Sequence, residues 1–302
     1  ANYYLKKENR EKANQIINQA LKLYPNNLIL NQFKHDFKKE KIEANKFDCK
    51  NASHIIAEIF YITSNALSQN SLYSISNFYL NLAKYLNSEF ISFDTLYAEN
   101  YYMIDSYDQS KKIYNKIKRK GNFYNWYASK QIARILIKQK KNEEAYNFLS
   151  KNFKMIKKPN VSQLYDYGDF LKNNKKYDDA VFYLTKVLNQ IDKNHFLYAK
   201  TSDSRGVAYE RLSKWEKAET DLLNSFSVEP NEAYVINYLA YTWIEKGINI
   251  EQSLKMLRKA NELKKNDGYI IDSLGWALFK LKRYNEAKDQ LRLAVAIMPS
   301  DP

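Results

Sequence analysis

Residues 268–298 read GYIIDSLGWALFKLKRYNEAKDQLRLAVAIM, and Pro299 follows. The pattern is that of one helical hairpin. Its first helix carries large Leu274, small Gly275 and large Leu278; its second carries small Ala287 and Ala294 seven apart, with Leu291 between them. Small positions let neighbouring helices approach closely, while large ones fill the gaps between their ridges. Proline then stops the second helix. A hairpin of this length cannot bury its apolar face by itself, so it predicts neighbours of the same kind.

Those neighbours occur upstream in a register that returns every 34 to 38 residues. The copy at 233–267 has Leu239, Ala240, Trp243, Ser253, Leu257 and Ala260, with one extra turn residue around Gly247–Asn249. The copy at 199–232 has Gly206, Tyr209, Ala218, Leu222 and Ser225. The copy at 161–198 has Gly168, Leu171, Ala180, Leu184 and Val187, and runs four residues long near Asp192–His195. Residues 126–160 offer Ile132, Ala133, Leu136, Ala145 and Leu149, and residues 91–125 offer Tyr97, Ala98, Tyr101, Ser110 and Tyr114. Around 50–90 the landmarks read as Ile56, Ala57, Phe60, Tyr73, Leu80 and Ala83, with a longer inner turn. Ala13, Ile17, Ala20 and Pro25 match only the second helix of a copy, and 28–48 is helical in pattern without a firm register.

The expected fold is therefore all-α, a stack of seven hairpins after an opening half-copy. Its expected organisation is a partial repeat and helical linker over 1–49, divergent hairpins over 50–125, and well-defined hairpins over 126–302 continuous with them. Both ends read as cut: Ala1 opens partway through a copy, and Ser300–Pro302 stand where another hairpin could begin. Scarce glycine (6) and proline (5) fit long helices with short turns.

These landmarks resemble the tetratricopeptide repeat family over nearly the whole chain, and the resemblance implies a right-handed α-α superhelix. The segment from Asn237 to Ala287 further resembles one common in exported, envelope-associated bacterial members. Among those is an adaptor that presents substrates to an envelope protease, so the resemblance implies a periplasmic or outer-membrane-associated setting and a protease complex as partner. The family segment usually has Gly where this chain has Ala240, and Pro where it has Asn266.

In the family, outward residues of each first helix line a concave groove that binds protein or peptide. By position these are Thr95, Glu99 and Tyr102, then Lys130 and Arg134, then Tyr165 and Asp169. Asp203, Val207 and Glu210 follow, then Tyr234, Asn237 and Tyr241, and finally Tyr269, Asp272 and Trp276. The last two groups combine aromatic area with side chains able to bond a peptide backbone. Some members grip a terminal carboxylate with Lys and Asn at fixed groove positions. Lys130 begins that pattern, but Arg134 replaces the Asn, and Asp169 and Asp203 put like charge where the carboxylate would sit.

The net charge of +14 is uneven: residues 1–198 hold 32 Lys and Arg against 19 Asp and Glu, and residues 199–302 hold 16 against 15. A basic half suits an acidic protein, anionic lipid or nucleic acid, and the alternative is a Lys- and Asn-rich solubilising composition; the helical register accounts for the 26 tyrosines, so nucleic acid is not the expected partner. No run of about 20 apolar residues is present for a membrane span.

Catalytic chemistry finds little material. His35, His54 and His195 lie in different regions without metal spacing, and Cys49 is the only cysteine. Glu143–Glu144 and Asp178–Asp179 sit where second helices begin, which suits the positive end of a helix. The six glycines are isolated, so no phosphate loop forms. The expectation is a non-catalytic scaffold without cofactor or metal, acting on a protein or peptide. The alternatives are the protease adaptor and a structural subunit of a homo-oligomer.

Overall fold

Each hairpin turns through a residue in the left-handed region. In the computed structural model, which describes residues 1–39, 50–88 and 90–299, these residues are Ser71, Asp105, Lys140, Lys175, Ser213, Gly247 and Lys282, with φ of 55–69°. The backbone N–H that follows each one reaches back five residues to a carbonyl of the first helix, as in Lys141 N to Leu136 O and Arg283 N to Leu278 O, both 2.9 Å. This closes the first helix and launches the second antiparallel to it. Second helices consequently start without a side-chain cap and carry acidic residues in their first turn, such as Asp108, Glu143, Glu144, Asp178, Asp179 and Glu286. Three of the seven first helices start from a side-chain cap: α4 from Asn51, α10 from Asn160 in a capping box with Gln163, and α16 from Asp267.

The chain divides into two units, 1–157 and 158–302. The first contains α1 (Asn2–Lys6), α2 (Arg10–Leu23), α3 (Leu28–Lys38), α4 (Ala52–Gln69), α5 (Tyr73–Leu86), α6 (Ile91–Met103), α7 (Tyr107–Ile117), α8 (Asn122–Lys138) and α9 (Asn142–Lys154). The second contains α10 (Val161–Asn173), α11 (Tyr177–Leu188), α12 (Tyr198–Arg211), α13 (Trp215–Val228), α14 (Ala233–Glu245), α15 (Ile250–Leu263), α16 (Gly268–Lys280) and α17 (Tyr284–Ile297). Among the described residues no strand occurs, and seven hairpins run from α4–α5 to α16–α17. The all-α class is the one the repeat register predicts.

A small residue on the first helix faces a large one sixteen positions later on the second. Gly168 meets Leu184, Gly206 meets Leu222, and Gly275 meets Leu291; a Cβ added to these glycines would stand 2.7–2.9 Å from a leucine carbon. Ala98 and Tyr114, and Ala133 and Leu149, hold the same register and are all buried. In the α14–α15 hairpin Ala240 and Leu257 are one residue further apart, because the turn holds Gly247 and a second positive-φ residue, Asn249.

The first hairpin departs from the sequence reading. Helix α4 runs unbroken to Gln69, so no longer inner turn exists, and the small landmark is Ser64, facing Leu80. Ser64 serves because its hydroxyl donates to Phe60 O at 2.7 Å, which hides the polar group inside its own helix. Ala57 is buried too and also packs with Leu80, together with Ala83 and Phe93.

Before that hairpin, α1 and α2 meet through positive-φ Glu8 in the same turn geometry, with Asn9 N donating to Tyr4 O at 2.8 Å. Helix α3 covers the start of the 28–48 helical expectation; residues 40–49, with Cys49, lie outside the described residues, as do Ser300–Pro302. In the second unit α10, α12, α14 and α16 lie side by side, each next to its successor, while α11, α13 and α15 each pack on the following first helix.

Candidate functional site

In the second unit the row of first helices lines a cavity of about 360 Å³. Its walls are Glu210 and Arg211 from α12, Asn237, Tyr238 and Tyr241 from α14, and Tyr269, Asp272 and Ser273 from α16. The i, i+4 spacing of Asn237 and Tyr241 puts both on one face of α14. An apolar floor comes from Leu291, Ala294 and Val295 of α17 and from Met298 just beyond it. Met298 reaches this place because Gly268 has no Cβ, which would stand 2.6 Å from the methionine methyl.

Asn237 and Glu210 are each 5% exposed, and Tyr269 is 59% exposed at the rim. Asn237 Oδ1 and Glu210 Oε2 are buried and accept no hydrogen bond. Arg211 Nε stands 3.3 Å from Glu210 Oε2, close enough for attraction but outside hydrogen-bond geometry. Burial holds the Glu210 carboxyl above the ordinary carboxylate range; Glu245 pushes the same way and Arg211 opposes. The Tyr241 phenol is likewise raised, first by burial and then by Glu245, Glu210 and Asp272, against Arg211.

Four of the residues named from the sequence, Asn237, Tyr241, Tyr269 and Asp272, thus share one cavity. Trp276 lies outside its walls: the indole N–H donates to Glu245 Oε1 at 2.8 Å, and the ring stacks on Phe279 at 5.4 Å. Tyr234 is engaged structurally, its hydroxyl donating to Asp267 Oδ2 at 2.7 Å while Lys264 lies 3.9 Å from the ring centroid.

Asp169 and Asp203 belong to a second polar group on α10 and α12. Asp169 pairs with Lys172 at 2.7 Å and accepts from Ser204 Oγ at 2.9 Å. Asp203 Oδ1 is buried without a hydrogen bond, and the carboxyl is raised to about 6. Burial is the main cause; Asp169, Glu232 and Glu229 add to it, and Lys172 works against it. Burial also pushes the Tyr165 phenol upward.

Lys130 and Arg134 lie in the first unit, on α8. Arg134 Nη2 pairs with Glu99 Oε2 at 2.6 Å, and its guanidinium sits 3.9 Å from the Tyr102 ring centroid. Glu99 also accepts from the buried Tyr114 hydroxyl at 3.1 Å. Arg134 is therefore held by its own unit. Lys130 is half-buried and likewise has a partner.

The sequence reading missed Arg211, Tyr238 and Ser273, and the apolar floor. It drew the groove from outward first-helix positions, whereas the floor belongs to a second helix. Gly268 was the available signal, since it marks where another side chain must pass.

Comparison with known proteins follows the same lines. A tetratricopeptide repeat family model matches residues 271–301. A TPR repeat-containing protein of Pseudomonas aeruginosa is 26% identical over 133 residues, which is 44% of this chain and 22% of that protein. The match thus spans about a fifth of that relative's length. Among solved structures, a chain of the APC/C hetero-tetramer Cut9–Hcn1 superposes with a TM-score of 0.58 at 15% identity, over 87% of this chain and 52% of that one. The C-terminal part of a TPR repeat-containing protein from Cytophaga hutchinsonii gives 0.50 at 16% identity, over 80% and 96%. The chain carries tetratricopeptide repeats, as its sequence resemblance implies, and its fold is the tetratricopeptide solenoid.

Proposed function

We propose that the chain is a non-catalytic protein-binding scaffold whose second unit holds an extended segment of a partner in the cavity between α12, α14 and α16. The observation that carries this reading is the meeting of Asn237, Tyr241, Tyr269 and Asp272, from two successive first helices, around one open cavity. Amide and phenol groups there can bond a peptide backbone while the rings cover apolar side chains. Several groups with chemical potential elsewhere have structural employment. His35 packs edge-on against Phe123, His195 Nδ1 accepts from Leu197 N–H, and the acidic pairs open helices.

The test is capture of partners by the chain and by a folded Tyr241→Ala plus Tyr269→Ala variant. Loss of the captured protein with an unchanged helical melt supports the groove; equal recovery by both removes it. An adaptor for an envelope protease is the narrower form of this reading. It is supported by the likeness of residues 237–287 to exported members, and it requires a protease and its substrate to be recovered together from envelope extracts.

A second reading, a structural subunit, is favoured by the exposed apolar side of the last hairpin, where Phe279, Tyr284 and Val295 lie in the open. It requires concentration-dependent association in sedimentation experiments, abolished by Tyr284→Lys.

A further inference from the structure

We infer that the occupant of this cavity is a partner segment that inserts a basic side chain, arginine above all, toward Glu210, Asn237 and Asp272. The inference rests on the groove reading above and adds the chemistry of the ligand. Two acceptor oxygens, Asn237 Oδ1 and Glu210 Oε2, sit on side chains only 5% exposed and accept no hydrogen bond. Buried polar atoms are nearly always paired, and an unpaired one carries a desolvation penalty that a ligand's donor removes. Both atoms are acceptors, so the missing group is a donor.

Charge selects which donor. The charged residues of the wall are Glu210 and Asp272 against Arg211. The wall is thus net negative, although the whole chain carries +14. A terminal carboxylate would meet like charge, and a neutral backbone N–H would bring no charge to answer the excess. A guanidinium brings five N–H donors and a positive charge to several separated acceptors at once.

Size and surface agree. A cavity of about 360 Å³ takes one long side chain rather than a folded element. The floor of Leu291, Val295 and Met298 suits the methylene stem, and the tyrosine faces favour the cationic head.

The test is selection of phage-displayed random nonapeptides on the full chain, followed by fluorescence anisotropy of the enriched peptides. Enriched sequences should share Arg or Lys at one position, and replacing it by Gln should weaken binding roughly ten- to a hundredfold. Glu210→Gln, and separately the rim variant Asp272→Asn, which removes no buried group, should each reduce the preference for the basic residue. Enriched peptides that lack a shared basic position yet lose binding in the Tyr241→Ala plus Tyr269→Ala variant would overturn this inference and leave the groove standing. Peptides indifferent to the tyrosine variant, or no enrichment at all, would overturn both. Self-association of the chain that Glu210→Gln abolishes would make the occupant a second copy and overturn the assignment to a partner.

Discussion

Arg205 and Asp221 meet as a two-pronged pair, Nε to Oδ2 and Nη2 to Oδ1, each at 2.7 Å. Arg205 Nη1 also donates to Thr185 Oγ1 at 3.0 Å, so one guanidinium ties α11, α12 and α13 together. Asp221 is 2% exposed, and burial raises its carboxyl despite the opposing pull of Arg205. A pair so placed gains little over apolar packing, but removing one partner strands the other's charge. Asp221→Ala should therefore destabilise the second unit by about 3–5 kcal/mol in urea denaturation. Arg205→Met with Asp221→Leu should recover most of that loss. A double variant as unstable as the single one would show that the pair's geometry, rather than the stranded charge, sets the cost.

Asp203 gives the second unit a pH dependence of defined sign. Its carboxyl is raised from 3.8 to about 6, with burial first among the causes. A raised folded-state value means that the fold favours the protonated form. The resulting stability is fully present below about 3.8 and lost as pH rises through about 6. Asp203→Asn should then be more stable than the natural chain at pH 7.5, by about 2–3 kcal/mol, with the difference vanishing near pH 4. Urea midpoints for both proteins across that range check the prediction, since Asp169, Glu229 and Glu232 are common to both. Parallel profiles would mean that Asp203 does not titrate in this window.

What the sequence revealed and what it hid have separable causes. Pairs such as Ala133 with Leu149 and Gly206 with Leu222 are legible because volume at a helix crossing restricts residue type. Ser64 was passed over for Ala57 because a serine reads as polar until its hydroxyl is seen bonded to Phe60 O. The left-handed turn at Lys140 and Lys175 leaves no mark, since lysine does not announce positive φ as glycine does. Within the cavity, Asn237, Tyr241, Tyr269 and Asp272 stand at first-helix positions that the family resemblance assigns to a groove. Leu291 and Met298 did not, because their approach depends on how the last hairpin closes over Gly268.

Those turn lysines make a third prediction. Lys140 and Lys175 adopt φ of 61° and 60°, where a Cβ is strained and glycine is not. Lys140→Gly and Lys175→Gly should each stabilise the chain by about 0.5–1 kcal/mol, net of glycine's greater freedom when unfolded. The reciprocal change tests the cause. Gly247 has φ of 69° with nothing within 4 Å of an added Cβ, so Gly247→Ala carries backbone strain without a clash. It should cost about 1 kcal/mol in thermal or urea unfolding. A neutral Gly247→Ala would assign the turn's tolerance to something other than φ.

The last prediction concerns a contact that no repeat register contains. Gln32 on α3 accepts from Phe123 N–H with Oε1 at 2.9 Å, across 91 residues, while its Nε2 donates to both Asp36 oxygens. Gly121, at φ of 156°, lets the two segments meet: a Cβ there would stand 2.4 Å from Gln32 Cδ. His35 and Asn122 approach at 3.1 Å beside it, and the His35 ring lies edge-on to Phe123 at 5.8 Å. Nearest-neighbour stacking alone would not bring α3 to the start of α8, so these few groups hold it there. Gln32→Ala removes the acceptor and leaves the half-buried Phe123 amide without it, at a cost of about 1 kcal/mol or more. Because the contact joins one helix to one neighbour, the loss should appear as local opening rather than global unfolding. Amide exchange over residues 28–38 should accelerate roughly ten- to a hundredfold, and Gly121→Ala should reproduce it from the opposite side. If α3 exchanges at the natural rate in both variants, its anchorage must come from α2 instead.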